Sequence, residues 1–305
     1  MVHFTYDGSF DGLLTTLRQV WQRRTEALSI RPAGGAQAGL FAETVHVPTD
    51  EVTARAVWAN LLRWLPEKAR ERLYHVFLAE QLDSEQLIYR YIQKTLLQKG
   101  ADISEQWADD VVRRVYELSR WLSREQHRMQ AFVRFEQTTA GLYHATVDPE
   151  VNVLPLIAGH FARRYADQQW LIFDQRRRYG IRFDGRRVLV VRPAAPGTAR
   201  LQPGTSLPLP GWSLAFPGPI VLTEHEPTFQ HLWQTYYRAA TIAARRSPER
   251  HRRHLPKRYW KYLTEKRPPV ALPAAGAPIT VPSAPNEARP ASGSKLRGRR
   301  ARPVE

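Results

Sequence analysis

The spacing of apolar residues changes near residue 129 of this 305-residue chain. Before that point, apolar side chains recur every three or four residues, which is the spacing of one helix face. After it, residues 131–136 and 142–147 alternate between apolar and polar types, which is the period of a strand with one buried face. Helical spacing returns near the carboxyl end. This order predicts an α+β fold: amino-terminal helices, a central, mostly antiparallel sheet with helices packed on it, and carboxyl-terminal helices.

Local signals define the expected elements. Asp50 and Pro66 bound one helix as its cap and its stop, and Gly100 ends another. An Asp184-Gly185 pair predicts a hairpin turn between two strands. The predicted helices are 11–28, 49–65, 84–99, 104–127, 153–165 and 226–246, and the predicted strands are 131–136, 142–147, 170–173, 180–183 and 188–191.

The predicted domain organisation is one domain followed by a tail. Residues 1–265 are expected to form the domain, with a helical part at 1–128 and a sheet-containing part at 129–265. Residues 193–219 contain seven prolines and no helical period, which indicates a loop or insertion. Residues 266–305 are rich in proline, alanine and arginine and are predicted to be a disordered basic tail.

The overall charge limits the classes of partner. Lysine and arginine outnumber aspartate and glutamate, giving a formal net charge of +16, which favours a polyanion such as nucleic acid. No apolar run approaches the roughly 18 residues of a membrane span, and the first residues lack the pattern of a secretory signal. The chain has no cysteine, so thiolate zinc sites, iron–sulfur clusters and a thiol nucleophile are excluded. We expect a cytoplasmic protein without a cofactor or metal.

The segment 251–262, with the sequence HRRHLPKRYWKY, carries the strongest functional signal. Positive charge interleaved with tyrosine and tryptophan suits a polyanion whose bases can stack. Lys257, Arg258 and Lys261 are therefore predicted to neutralise phosphates, and Tyr259 or Trp260 to stack on an exposed base. The alternative is that the two rings pack inward and the cations form only a solvated rim.

Three further segments contain candidate groups. Arg163 and Arg164 are predicted phosphate contacts, because guanidinium groups suit bidentate binding. Arg134 is expected on a strand, on the same face as Phe132, where it would support the DNA site. Residues 6–10 form either a helix cap or a backbone approach to phosphate, and the cap is favoured because caps of this kind are common.

Motifs for catalysis are sparse. The chain has neither a Walker loop nor a Gly-x-Ser-x-Gly elbow. No catalytic residue is therefore predicted, but two alternatives to a DNA-binding accessory stay open. One is a metal-dependent nuclease or base-processing enzyme that uses Asp148, Asp167 or Asp174. The other is a protein-interaction module whose amino-terminal helices hold a partner.

Four blocks carry a family resemblance. They are YDGSF at 6–10, RFE at 134–136, FARRYADQQWLIFD at 161–174 and LPKRYW at 255–260. In order and spacing, these blocks resemble bacterial DNA-metabolism proteins built on domain of unknown function 4130. The resemblance covers most of residues 4–265.

The resemblance implies a role in DNA repair or metabolism. Members of that family are typically encoded beside a radical-SAM protein proposed to modify or repair DNA, and some are fused to a uracil-DNA glycosylase-like domain. DNA and a radical-SAM repair protein are therefore the expected partners. The tail of this chain contains no glycosylase motif, so that activity is not expected. Because the chain has no cysteine, the cluster of the radical-SAM partner would be held by the partner itself.

Overall fold

The computed structural model describes residues 2–23, 28–34, 43–192, 213–215, 220–242 and 247–268. These residues belong to one compact unit. Among them, no helix is both long enough and apolar enough to cross a lipid bilayer.

The amino-terminal part contains a small parallel sheet. Its strands are β1 (Val2–Tyr6), β2 (Leu28–Pro32) and β3 (Glu43–His46), and β1 lies between the other two. Helix α1 (Phe10–Arg23) follows β1. The expectation of helices alone before residue 129 was therefore wrong. Each strand is short and pairs with a segment far along the chain, so the local pattern held little evidence for the pairing.

Four helices follow this sheet: α2 (Glu51–Trp64), α3 (Glu67–Leu78), α4 (Ser84–Leu97) and α5 (Asp110–Phe132). Asp50 caps α2 as predicted, because its carboxylate accepts a hydrogen bond from the Val52 amide at 3.0 Å. Gly100 follows α4 with a φ of +80°, a conformation that favours glycine. Helix α3 was not predicted, and α5 begins and ends later than the expected 104–127.

The predicted strand at 131–136 was wrong. Residues up to Phe132 complete the last turn of α5, and Val133 caps it through a hydrogen bond to the Met129 carbonyl. Only Glu136 and Gln137 pair as a strand. The alternating pattern at 131–136 therefore reflects a helix end followed by a loop that packs Phe135 against the core.

The second sheet has six strands in sequential order. They are β4 (Glu136–Gln137), β5 (Tyr143–Val147), β6 (Trp170–Asp174), β7 (Tyr179–Phe183), β8 (Val188–Arg192) and β9 (Ser213–Ala215). The pairs β4–β5, β6–β7 and β7–β8 are antiparallel, which confirms a mostly antiparallel sheet, whereas β5–β6 and β8–β9 are parallel. Strand β9 lies inside the predicted insertion 193–219, most of which is outside the described residues.

Helix α6 (Leu154–Arg164) joins the parallel strands β5 and β6. The carboxyl ends of β5 and β6 therefore lie at the same edge of the sheet, which we call the carboxyl edge. Helix α6 runs back across the sheet, so its own carboxyl end lies at the opposite edge, where β6 begins. Trp170 is 1% exposed and lies in the main hydrophobic core. Residues that follow β5 or end β6 therefore lie at one edge of the sheet, and residues that end α6 lie at the other.

The carboxyl-terminal part is helical. It comprises α7 (Glu226–Ala239), α8 (Pro248–His254) and two 3-10 helices, Lys257–Tyr262 and Thr264–Lys266. Helix α7 ends earlier than the predicted 226–246. Residues 266–268 are ordered against the domain, and Arg267 forms an ion pair with Glu136. The predicted tail therefore cannot begin at 266, and the rest of it, 269–305, lies outside the described residues.

Candidate nucleic-acid interface

The segment that carried the strongest sequence signal is packed into the fold. We call residues 255–266 the strap. Leu255, Tyr259 and Leu263 recur every fourth residue along it and are 8%, 2% and 0% exposed. The strap is therefore anchored by an apolar stripe, and only its remaining side chains can face solvent.

Tyr259 is not available to stack on a base, contrary to the prediction. Its ring lies 5.7 Å from that of Phe132, centroid to centroid, and its hydroxyl donates to the buried carboxylate of Glu125. Burial raises the pKa of this phenol, with the neighbouring Glu125 carboxylate acting in the same direction. The ring thus belongs to the core, as the alternative interpretation of this segment required.

Arg258 and Lys261 are already paired with carboxylates. The Arg258 guanidinium lies 2.8 Å from Glu150 and 3.5 Å from Glu125. The Lys261 ammonium lies 3.6 Å from Asp148. Because these acids offset the two cations, neither residue presents the unrelieved charge that the sequence indicated.

Two of these three acids, Asp148 and Glu150, come from the carboxyl edge of the parallel pair β5–β6, and the third, Glu125, lies on α5. Asp148 and Glu150 follow β5, and Asp174 ends β6. Asp174 is fully buried and forms a 2.9 Å ion pair with Arg177. Burial raises the pKa of Asp174, and Arg177 opposes that change.

Two of the three carboxylates proposed for a nuclease therefore lie at one sheet edge, but each faces a cation. Asp148 pairs with Arg176 at 3.0 Å as well as with Lys261. Asp167 precedes β6 and lies at the opposite edge. Within the described ranges, no group of three or more histidine, aspartate or glutamate side chains is arranged to hold a metal ion.

Arg163 and Arg164 are separated from the strap. They end α6, at the amino-terminal edge of β6, whereas the strap contacts the carboxyl edge. Five-residue strands place the two edges about 13 Å apart at 3.3 Å per residue. Both arginines are exposed and form no ion pair with any described residue.

Arg134 is held by a buried acid. Two of its nitrogens donate to Glu265, the shorter bond being 2.8 Å, and the Glu265 side chain is 3% exposed. Burial alone would raise the pKa of Glu265, but hydrogen bonds from Arg134 and Trp233 outweigh it and lower the pKa. Arg134 lies in the loop after α5 and not on a strand, so its predicted placement was wrong.

Free cations remain at the start of the strap and in α8. Arg252, Arg253 and Lys257 are exposed, and none forms an ion pair with a residue that the structure describes. Trp260 is half-buried, and its indole nitrogen donates to the Leu255 carbonyl at 3.1 Å. Of the eight predicted contact residues, Lys257, Arg163 and Arg164 thus combine exposure with free charge.

The amino-terminal candidate, residues 6–10, is a helix cap. The Asp7 carboxylate accepts hydrogen bonds from the Ser9 amide at 2.9 Å and the Ser9 hydroxyl at 2.6 Å. The Ser9 hydroxyl oxygen in turn accepts from the Gly12 amide at 2.9 Å. The side chains of Asp7 and Ser9 already accept from the amides at the start of α1, and Asp7 adds a negative charge beside them. A phosphate at this position would therefore be repelled. The cap interpretation is supported.

Helix α7 presents a surface that the sequence reasoning did not single out. The helical spacing of Leu232, Trp233, Tyr236, Tyr237 and Ala240 places these residues on one side of the helix. In the structure, most of that side faces outward. The large exposed side chains on α7 are Phe229 (40%), Leu232 (50%), Trp233 (38%) and Tyr236 (64%).

Two signals in the sequence could have indicated that the aromatic side of α7 faces outward. The first was that polar residues recur at positions 226, 230 and 234. Glu226 and Gln234 are the buried residues of α7. The second signal was that residues 227–242 contain neither aspartate nor glutamate. Together they describe a helix that attaches through polar groups and exposes aromatic ones.

Comparison with known proteins gives a family but no activity. No curated protein matches the chain. The family model of DUF4130, described as a domain of unknown function, matches residues 82–265. The match includes the sheet from β4 to β9, α7 and all but the last residue of the strap, and it spans more than half of the sequence. The chain therefore belongs to the DUF4130 family.

Proposed function

We propose that this protein binds DNA as an accessory of a repair or modification system that includes a radical-SAM enzyme, without catalysis of its own. One observation carries the DNA-binding part of the proposal. Arg252, Arg253 and Lys257 lie close together in sequence, are exposed, and have no ion pair with a described residue. A solvated surface would ordinarily mix signs of charge, and unrelieved positive charge attracts a polyanion.

The role in repair and the radical-SAM partner rest on the resemblance of the four sequence blocks. We expect a radical-SAM enzyme expressed together with this chain to co-purify with it. An association that survives high salt and nuclease treatment would support direct protein contact. A complex that dissociates once DNA is digested would show that DNA alone links the two proteins.

Salt dependence tests the DNA contact directly. Each phosphate that a cation neutralises contributes about −0.9 to the slope of log affinity against log salt on duplex DNA. Replacing Arg252, Arg253 and Lys257 with alanine should make that slope shallower by about 2.7. A full interface of 6–10 phosphate contacts would lose about 10³–10⁵-fold in affinity between 50 and 200 mM salt.

The experiment uses the full chain with Lys295, Arg297, Arg299, Arg300 and Arg302 replaced by serine, because a basic tail binds DNA without specificity. We call this protein the neutral-tail chain. Fluorescence anisotropy then measures its affinity for labelled duplex and single-stranded DNA across a salt series.

The matched control removes three exposed cations from the helical part: Arg63→Ala/Lys68→Ala/Arg90→Ala. We expect the control to keep most of the affinity and the Arg252/Arg253/Lys257 variant to lose it. Equal losses in the two variants would mean that the cations act only through net charge. A complex insensitive to salt would overturn the proposal.

One alternative is a metal-dependent nuclease or base-processing enzyme that uses Asp148 and Asp174, which lie at the same edge of the sheet. That activity would require a metal to displace Arg176, Arg177 or Lys261 from these acids. We expect no cleavage of DNA when magnesium or manganese is added. Cleavage by the wild-type protein that disappears in Asp148→Asn would replace the accessory role with an enzymatic one.

A further inference from the structure

The outward direction of the aromatic face of α7 is fixed by its polar face. Glu226 accepts a hydrogen bond from the Gln137 amide at 2.9 Å. Gln234 donates to the Thr264 carbonyl at 2.9 Å. Rotating the helix to bury its rings would break both bonds and leave these groups unpaired. The fold therefore keeps these aromatic side chains between 38% and 64% exposed.

The exposed rings follow one another along the helix. Phe229, Trp233 and Tyr236 are separated by four and three residues, or about 6 and 4.5 Å of helix rise. The centroids of Trp233 and Tyr236 are 5.8 Å apart, and the Arg134 guanidinium lies 5.6 Å from the Trp233 centroid. Successive rings combined with a guanidinium are the elements of a base-stacking surface.

Charge distinguishes between the two kinds of macromolecule that could cover this face. Residues 227–242 carry no acid, and Arg238 is exposed among them. An aromatic surface whose helix residues carry a cation and no acid complements nucleic acid, and the Glu265 side chain that binds Arg134 and Trp233 is only 3% exposed. A second copy of this chain, itself at +16, would bring like charges together.

Contacts connect this face to the free cations of α8. The Lys266 ammonium lies 5.0 Å from the Tyr237 ring centroid and 5.4 Å from that of Trp260. Trp260 in turn lies 6.3 Å from the His251 ring, one residue before Arg252. A strand whose phosphates meet α8 could therefore continue onto α7.

We propose that the outer face of α7 is a stacking platform for single-stranded DNA, with Phe229, Trp233 and Tyr236 as the contacting rings. This inference rests on the proposed DNA binding and adds a strand preference to it. Bases in a duplex stack on each other and do not offer their faces to the protein, so the platform should discriminate against duplex DNA.

Replacing rings with an aliphatic side chain tests stacking separately from apolar contact. The variant Phe229→Leu/Tyr236→Leu of the neutral-tail chain keeps the apolar face but removes two rings, neither of which makes a side-chain hydrogen bond to a described residue. Stacking contributes about 1–3 kcal/mol per base when a ring is replaced by alanine, and leucine keeps part of the apolar contact, so we expect about 10- to 30-fold weaker binding to labelled oligothymidine. Affinity for a labelled duplex should change less than about twofold, because no stacking is lost there.

Two controls accompany this variant. Trp107→Leu removes an exposed ring (45%) far from α7 in sequence and should leave both affinities unchanged. Circular dichroism and thermal melting confirm that each variant is folded.

The outcomes separate the two proposals. If the neutral-tail chain binds neither oligothymidine nor duplex, the proposed function fails and the platform fails with it. If it binds both and the leucine variant binds oligothymidine as tightly as the parent, only the platform is overturned. An unchanged affinity for DNA together with self-association that Leu232→Asp abolishes would assign the face to a protein interface.

Discussion

At the residue scale, buried carboxylates determine which cations are free. Glu125 is fully buried on α5. It accepts hydrogen bonds from the Tyr259 hydroxyl and the Glu150 amide, and it pairs with Arg128 and Arg258. One acid thus joins α5, the loop after β5 and the strap. Arg258 is paired with Glu125 at this junction, whereas Lys257, its neighbour in sequence, faces solvent.

Removing the charge of Glu125 should destabilise the domain more than removing the Tyr259 hydroxyl. In Glu125→Gln, the partly exposed Arg128 and Arg258 lose a buried partner, and losing hydrogen bonds to a charged group costs about 1.5–3 kcal/mol. Tyr259→Phe keeps the ring and removes one hydrogen bond, so about 1 kcal/mol is expected. Urea unfolding measures both free energies. Equal small losses would show that the ion pairs at Glu125 contribute little.

A second prediction at this scale concerns pH and Glu85. Burial raises the pKa of this carboxyl above its ordinary value near 4.5, although the Tyr6 hydroxyl donates to it at 2.9 Å. A raised pKa means that the folded state binds the proton more tightly than the unfolded state. The stabilisation it gives is complete below pH 4.5 and is lost as pH rises through the folded pKa.

The variant Glu85→Gln keeps an acceptor for Tyr6 and cannot titrate. We expect its stability to fall less than that of the wild type between pH 4 and neutrality, where other groups contribute equally to both proteins. Urea midpoints across this range provide the measurement. Parallel curves for the two proteins would show that Glu85 has the same pKa in the folded and unfolded states.

At the element scale, Gly180 allows β7 to pair closely with its neighbours. A methyl group there would lie 2.8 Å from the Ile172 carbonyl oxygen of β6 and about as close to Leu171 and Val191. Gly159 on α6 has only the end of the Arg163 side chain nearby, at 3.3 Å. The same chemical change should therefore have opposite effects in the two elements.

Gly180→Ala is expected to cost about 1–3 kcal/mol, because backbone and core atoms must shift. Gly159→Ala should stabilise by up to about 1 kcal/mol, because alanine favours the helix and Arg163 can move. Chemical denaturation compares the two variants directly. Destabilisation of equal size at both positions would contradict the close contact in the sheet.

At the scale of the whole molecule, the strap connects parts that are distant in sequence. Tyr262 donates to Gln175 after β6, Tyr259 reaches α5, and Glu265 binds Arg134 and Trp233. Such cross-connections should make the domain, including α7, unfold as one cooperative unit.

Leu263→Ala tests that cooperativity. Leu263 is 0% exposed, and truncating a buried leucine costs about 2–5 kcal/mol. Tryptophan fluorescence and far-ultraviolet circular dichroism should still report one shared transition at lower denaturant. Tyr262→Phe, which removes one largely exposed hydrogen bond, is the matched control and should change little. A separate early transition seen by fluorescence alone would mean that the strap and α7 unfold independently.

Local chemistry in the sequence determined much of this fold. Helix α2 has the Asp50 cap and the Pro66 stop, Gly100 closes α4, α6 carries an apolar stripe, and the hairpin β7–β8 has an Asp184-Gly185 turn between two short strands. Interactions of this range can be predicted because both partners lie in the same short window. The excess of arginine and lysine over acids was likewise visible without any structure.

Only the tertiary structure decided which side chains remain available. Segments distant in sequence pair in the sheet β1–β3, supply acids to Arg134, Arg258 and Lys261, and bury Tyr259. The same distant contacts hold α7 by its polar face. Whether a cation is paired or an aromatic ring is exposed depends on what the rest of the chain brings beside it. Composition alone therefore predicted an affinity for polyanions, and the fold selects Lys257, α8 and the outer face of α7 as its candidate surface.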